Sequence, residues 1–155
     1  MGLNPALRWA IARLASGSIL ILLPDTPLVT PAEILSLVSK DALGAPPAAF
    51  PELSPSSERW AAAAPDRALV GTNALFLQPS LVLAPAFGRG SLARHRDAAI
   101  QAGARFTVRQ MPGISLDIDT RADVAAFLRT PSDTRTWRLL DQLHQIGRSE
   151  CSGLV

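Results

Sequence analysis

The sequence predicts an α/β domain on a largely parallel sheet, and three observations carry that prediction. Short apolar runs at 18–23, 60–64 and 72–78 alternate with stretches whose apolar residues recur at helical spacing. The run 18–23 is apolar throughout after its serine, as in a strand covered on both faces. A chain of 155 residues with 48% hydrophobic and 18% charged residues can bury one core, and is neither disordered nor long enough for two ordinary domains.

The elements follow in order. Leu3, Leu7, Ile11 and Leu14 repeat on one helical face, and Ser16-Gly17 offers a glycine stop. The strand 18–23 comes next. Thr30-Pro31 with Glu33 then reads as an N-cap, a first-turn proline and a first-turn acid, opening a helix to about Lys40. Residues 41–58 hold four prolines and read as a loop or insertion. A strand at 60–64, a turn at Pro65-Asp66 and a strand at 72–78 follow. The bend Phe87-Gly88-Arg89-Gly90 leads into a helix from Ser91 to about Ala102, which Gly103 ends. Strands are predicted at 105–109 and 115–118, and helices at 121–129 and 136–146, the last capped by Ser132 or Asp133. Residues 1–130 form the main domain, and 131–155 a C-terminal helix and tail.

Composition excludes several classes. A formal net charge of +2 is too small to mark a nucleic-acid binder. Lys40 is the one lysine among fifteen basic residues, so an anion site here relies on arginine or backbone amides. Cys151 is the single cysteine, which rules out an intrachain disulfide and a cysteine-rich zinc site and points to the cytoplasm. The stretch 7–23 resembles a signal peptide only superficially. Arg13 interrupts it and its unbroken apolar part, 19–23, falls short of the roughly 7–15 residues of a signal core or the about 20 of a membrane span.

Three places offer chemistry. Asp25 follows the first strand directly, at the carboxyl end where open α/β sheets bind ligands. Asp117 and Asp119 stand two apart, on one side of an extended segment, where a hard divalent ion would relieve their repulsion. The alternative is that Asp119 caps the helix at Arg121 while Asp117 is solvated. The segment Gly88-Arg89-Gly90-Ser91-Leu92-Ala93-Arg94-His95 places backbone N–H groups at a helix N-terminus, a ready anion site, with Arg94 as an added cation. Its plainer reading is a glycine turn with Ser91 as N-cap and His95 as a surface residue. Gly71-Thr72-Asn73-Ala74-Leu75 aims a hydroxyl and an amide at a ligand, or closes a turn on itself. Trp60 and Trp137 read as packing residues, and His144 and Cys151 as incidental.

Together these segments resemble a known family. Gly2-Leu3-Asn4-x-Ala6-Leu7, Leu23-Pro24-Asp25-x-Pro27-Leu28-x-Thr30-Pro31, Gly71-Thr72-Asn73-Ala74-Leu75, Phe87-Gly88-x-Gly90-Ser91-x-x-Arg94-His95 and Leu116-Asp117-Ile118-Asp119-Thr120 occur in that order. The series is similar to the 2-phospho-L-lactate guanylyltransferases, a family that includes phosphoenolpyruvate and 3-phosphoglycerate variants and serves biosynthesis of coenzyme F-420. Each motif is weak alone; five in order over residues 2–120 are specific. The resemblance implies a three-layer α/β/α nucleotidyltransferase fold, Rossmann-like and of the nucleotide-diphospho-sugar transferase type.

It also implies that a phosphate oxygen of a phosphorylated C3 acid attacks the α-phosphorus of GTP, releasing pyrophosphate. Asp25, Asp117 and Asp119 would hold Mg²⁺ or Mn²⁺. Thr72, Gly88 and Ser91 would cradle the acid, and Asn4 would be a nucleotide contact. Family members carry a further N-terminal strand and a basic loop that grips the triphosphate. Met1 stands directly before Gly2 here, so the resemblance implies an N-terminally truncated chain: a mis-called start, a fragment, or a protein working without that element. Such a chain would expose a sheet edge, open to aggregation or to a homodimer. Competing readings are a molybdopterin-type nucleotidyltransferase, which shares the aspartates but not the glycine motifs, and an inactive remnant serving as an interaction module.

Overall fold

A computed structural model describes residues 2–14, 17–39 and 59–152, with side chains described to residue 146. Its elements run α1 (Leu3–Ile11), β1 (Ile19–Leu22), α2 (Pro31–Val38), β2 (Trp60–Pro65), β3 (Thr72–Gln78), α3 (Ser91–Gln101), β4 (Arg105–Val108), α4 (Pro112–Ser115), α5 (Arg121–Leu128) and α6 (Arg135–Ser152). The predicted loop at 41–58 lies outside the described residues.

The α/β class holds, but the sheet is mixed and not largely parallel. Its order is β1-β3-β2-β4. β3 lies antiparallel to both β1 and β2, and only β2 and β4 pair in parallel. For β2 and β3 the reason is connection length: residues 66–71 join them, and a parallel crossover needs roughly a dozen residues. β2 and β4, the parallel pair, are separated in the chain by β3 and α3. Apolar runs report burial, not strand direction, so the sequence pattern left this undecided.

Alternation along the strands sorts the core onto two faces. Ala61, Ala63, Leu75, Leu77 and Ile21 pack with Ile11 of α1 and Ala99 of α3. Trp60, Ala62, Ala64, Ala74 and Phe76 pack with Leu37 of α2 and Ile114 of α4. Four successive alanines in β2 are fully buried, their small side chains admitting helices close to both faces of the strand. Trp60 is core as predicted: its ring lies 4.7 Å from that of Phe76 and its Nε1 donates to Gln78 Oε1 at 3.0 Å.

The start of α2 follows the predicted cap. Thr30 and Glu33 form a reciprocal capping box on α2, with Pro31 in the first turn. Other boundaries differ. α1 ends at Ile11, one turn before the predicted stop. Residues 115–118 are not a strand: Pro112, at the first helical position of α4, turns the chain there, and Leu116 onward stays extended without joining the sheet. α6 is capped by Thr134, whose hydroxyl accepts from Trp137 N at 3.2 Å, and not by Ser132 or Asp133.

Candidate active site

The sheet brings Asp25 and Thr72 to one end. β1 and β3 are antiparallel with Leu22 opposite Ala74, so the end of β1 meets the start of β3. Leu23 N donates to Asn73 O at 2.9 Å, and Asp25 lies two residues further on. The aspartate segment docks on the same loop, since Ile118 N donates to Asp25 O at 3.1 Å. That docking is held from below by Glu33, whose carboxylate caps α2 and also accepts from Gly113 N at 2.7 Å. Gly113 passes so close to Leu28 and Glu33 that a side chain would collide with both.

Asp25, Asp117 and Asp119 therefore share one neighbourhood. Asp25 Oδ1 is buried without a hydrogen-bond partner. Asp117 has its pKa raised, first by burial and then by the negative charges of Asp119, Asp25 and Asp123, against a lowering backbone hydrogen bond. Asp119 is exposed, and it does not cap α5; Thr120 does, in a capping box with Asp123. An orphaned carboxylate oxygen beside a second carboxylate under repulsion is the donor set a hard cation takes. Among the described residues no three acidic, histidine or cysteine side chains converge as they stand. Asp25 also lines a groove of about 450 Å³ with Pro24, Pro27, Ile118, Arg135 and Leu139. A groove of about 510 Å³ beside Ala32, Ser36 and Arg109 contains none of the three aspartates.

Thr72 connects this end of the sheet to the glycine bend. Asp66 accepts from Val70 N at 2.9 Å and Gly71 N at 2.8 Å, fixing the approach to Thr72. A Cβ on Gly71 would stand 2.6 Å from Asp66 Oδ2 and would displace the carboxylate that holds this turn. The bend itself needs positive φ at Gly88 (114°) and at Gly90 (73°), the left-handed N-cap of α3. Ser91 is thus the first helical residue and not the cap. Its hydroxyl is buried and unpartnered at the positive end of α3. Arg94 is used differently from the expectation that it would reach a ligand. Its guanidinium donates to Ala86 O at 3.0 and 3.2 Å and to Arg89 O at 2.6 Å, stapling the bend.

Asn4 and His95 have roles the sequence did not disclose. Asn4, expected as a nucleotide contact, donates through Nδ2 to Phe87 O at 3.0 Å, and its Oδ1 accepts from Phe87 N at 2.7 Å. His95 is completely buried, not a surface residue. Its Nε2 accepts from Ala86 N at 2.9 Å and its Nδ1 lies 3.1 Å from Thr72 Oγ1. Burial, and then the charge of Arg94, lowers its pKa to about 4. The available signal was its spacing: four residues after Ser91, it faces the same side of the helix.

No protein-family model matches the chain. Curated proteins named phosphoenolpyruvate guanylyltransferase are similar to it. That of Sphaerobacter thermophilus is 39% identical over 127 residues, covering 80% of this chain and 54% of the relative. Those of Rubrobacter xylanophilus and Conexibacter woesei are 35% and 34% identical over 127 and 128 residues, covering 80% and 81% of this chain and 55% and 52% of theirs. The chain spans about half the length of the curated relatives it matches.

Proposed function

We propose that this chain is the acceptor and metal part of a guanylyltransferase acting on a phosphorylated three-carbon acid, with phosphoenolpyruvate the first candidate. The observation that carries the reading is the buried, unpartnered Ser91 hydroxyl at the N-terminus of α3, beside two glycines at positive φ, on the helix whose His95 contacts Thr72. A cradle of this kind suits an anion. The similarity to proteins named phosphoenolpyruvate guanylyltransferase supports the same class.

In the proposed reaction an oxygen of the acid's phosphate bonds to the α-phosphorus of GTP, and the bond to the leaving pyrophosphate breaks. Ser91 Oγ donates to the acid, and because Ser91 N and Leu92 N are already taken by Gly88 O and Val70 O, the remaining backbone contribution is the positive end of the α3 dipole. Gly88 lets the backbone turn without a side chain in the cradle. Asp25 and Asp117, with Asp119 at the rim, would hold Mg²⁺ or Mn²⁺. Magnesium is typically bound by one or two carboxylates plus substrate phosphates. When bound, the ion supplies charge neutralisation between the two phosphates. No protein nucleophile is required, because positioning and electrostatics suffice for phosphoryl chemistry. A place in coenzyme F-420 biosynthesis in the cytoplasm belongs to the same proposal.

Calorimetric titration of phosphoenolpyruvate, 2-phospho-L-lactate and 3-phosphoglycerate tests it, in the presence of Mg²⁺ and GTP. Saturable binding of at least one acid is the expected result. Binding of none of the three would overturn the proposal.

A further inference from the structure

Resting on that reading of the site, we propose that His95 is a positioning residue that keeps the Thr72 hydroxyl proton free to be donated to the anionic acceptor. The argument starts from a backbone group that has no choice. Ala86 N–H can only donate, and it points at His95 Nε2 at 2.9 Å. Nε2 is therefore the bare nitrogen, and the ring's single proton sits on Nδ1. A proton on Nε2, in the other tautomer or in the imidazolium, would set two donors against each other inside a fully buried site.

Nδ1 lies 3.1 Å from Thr72 Oγ1, so Nδ1–H donates and the threonine oxygen accepts. Thr72 keeps one proton of its own, and among the described residues that proton has no acceptor. It is left for a ligand. A half-turn of the ring would put carbon where both nitrogens stand and break both hydrogen bonds, and Phe87 packs edge-on against it at 5.2 Å and 71°. Phe87 is in turn held through both backbone groups by Asn4.

The consequence is selectivity for chemical form. A hydroxyl that accepts from His95 Nδ1–H has its own proton left to give to a phosphate or carboxylate oxygen, and that bond is strongest to a charged acceptor. Thr72, together with the unpartnered Ser91 hydroxyl, would favour the fully ionised acid over neutral analogues.

The test has one arm free of activity and one that uses binding. Long-range ¹H–¹⁵N NMR of the 155-residue chain should show His95 as the Nδ1–H tautomer; an Nε2–H pattern overturns the proposal. In the second arm phosphoenolpyruvate affinity is measured by calorimetry. His95→Gln, whose amide reaches the Nε2 position, and His95→Leu should weaken binding about 5- to 15-fold, the loss of one hydrogen bond. His95→Asn, which can keep a donor at the Nδ1 position, should retain most of it. In a Thr72→Val background the His95 substitutions should add nothing, and GTP affinity should be unmoved throughout. Losses that add in that background, or equal losses in His95→Asn and His95→Leu, would make His95 merely structural. A parent chain that shows the Nδ1–H tautomer but binds no phosphorylated acid overturns the guanylyltransferase reading, and with it the ligand named here.

Discussion

Asn4 and Phe87 lie 83 residues apart, yet one side-chain amide satisfies both backbone groups of the other residue. The contact fastens α1 to the glycine bend at its entrance. Asn4→Ala would leave a partly buried N–H and C=O unpaired, at a cost of about 1–3 kcal/mol. Urea unfolding should show that loss, and acceptor affinity should fall while GTP affinity does not. A specific loss of GTP binding would restore the nucleotide-contact role.

Ser91 should separate stability from function. Its hydroxyl is buried without a partner, so Ser91→Ala removes an unsatisfied group and should leave the unfolding midpoint unchanged or slightly higher. The same substitution should weaken phosphoenolpyruvate binding about tenfold, equivalent to about 1.4 kcal/mol.

Gly88 makes the opposite case. A Cβ there would meet only Arg94 Nη2, at 3.8 Å, so space is available. The penalty is conformational, because φ is +114°. Gly88→Ala should cost about 1–2 kcal/mol in thermal unfolding. No loss would show that the bend relaxes to ordinary backbone angles.

Asp117 carries a charge its surroundings resist. Its folded pKa is raised, so the folded state holds more protons than the unfolded chain just above the ordinary carboxylate range. Stability contributed by this group therefore falls as pH rises through that window. Asp117→Asn should raise the melting temperature at pH 7, and should reduce the further stabilisation the parent gains from Mg²⁺. A lower melting temperature in the variant would contradict this account.

His95 has the reverse sign. Its folded pKa lies near 4 and its unfolded value near 6.5, so the unfolded chain binds the extra proton between those limits. Stability should be full above pH 6.5 and fall toward pH 4, by roughly 3 kcal/mol in all at 1.36 kcal/mol per unit. His95→Asn should flatten that part of the stability curve, as read by urea unfolding across the range.

The sequence by itself determined what local chemistry can encode. Thr30-Pro31 with Glu33 specified a helix start because the cap closes within one turn. Apolar runs marked β1, β2 and β3, and the glycines of the bend marked where positive φ was required. Asp25 was placed at a strand end by chain order alone. The six-residue link at 66–71 already selects the antiparallel β2–β3 pair, whereas only the tertiary structure decided that β1 pairs antiparallel with β3 and β4 parallel with β2, because an apolar run buries equally well either way. The tertiary structure alone joined Asn4 to Phe87, Glu33 to Gly113 and Ile118 to Asp25. Those contacts cross tens of residues, and nothing in the spacing of a single sequence records them. His95 shows the division most clearly: its place in a motif was visible, but its protonation is dictated by a backbone N–H that only the folded chain brings within reach.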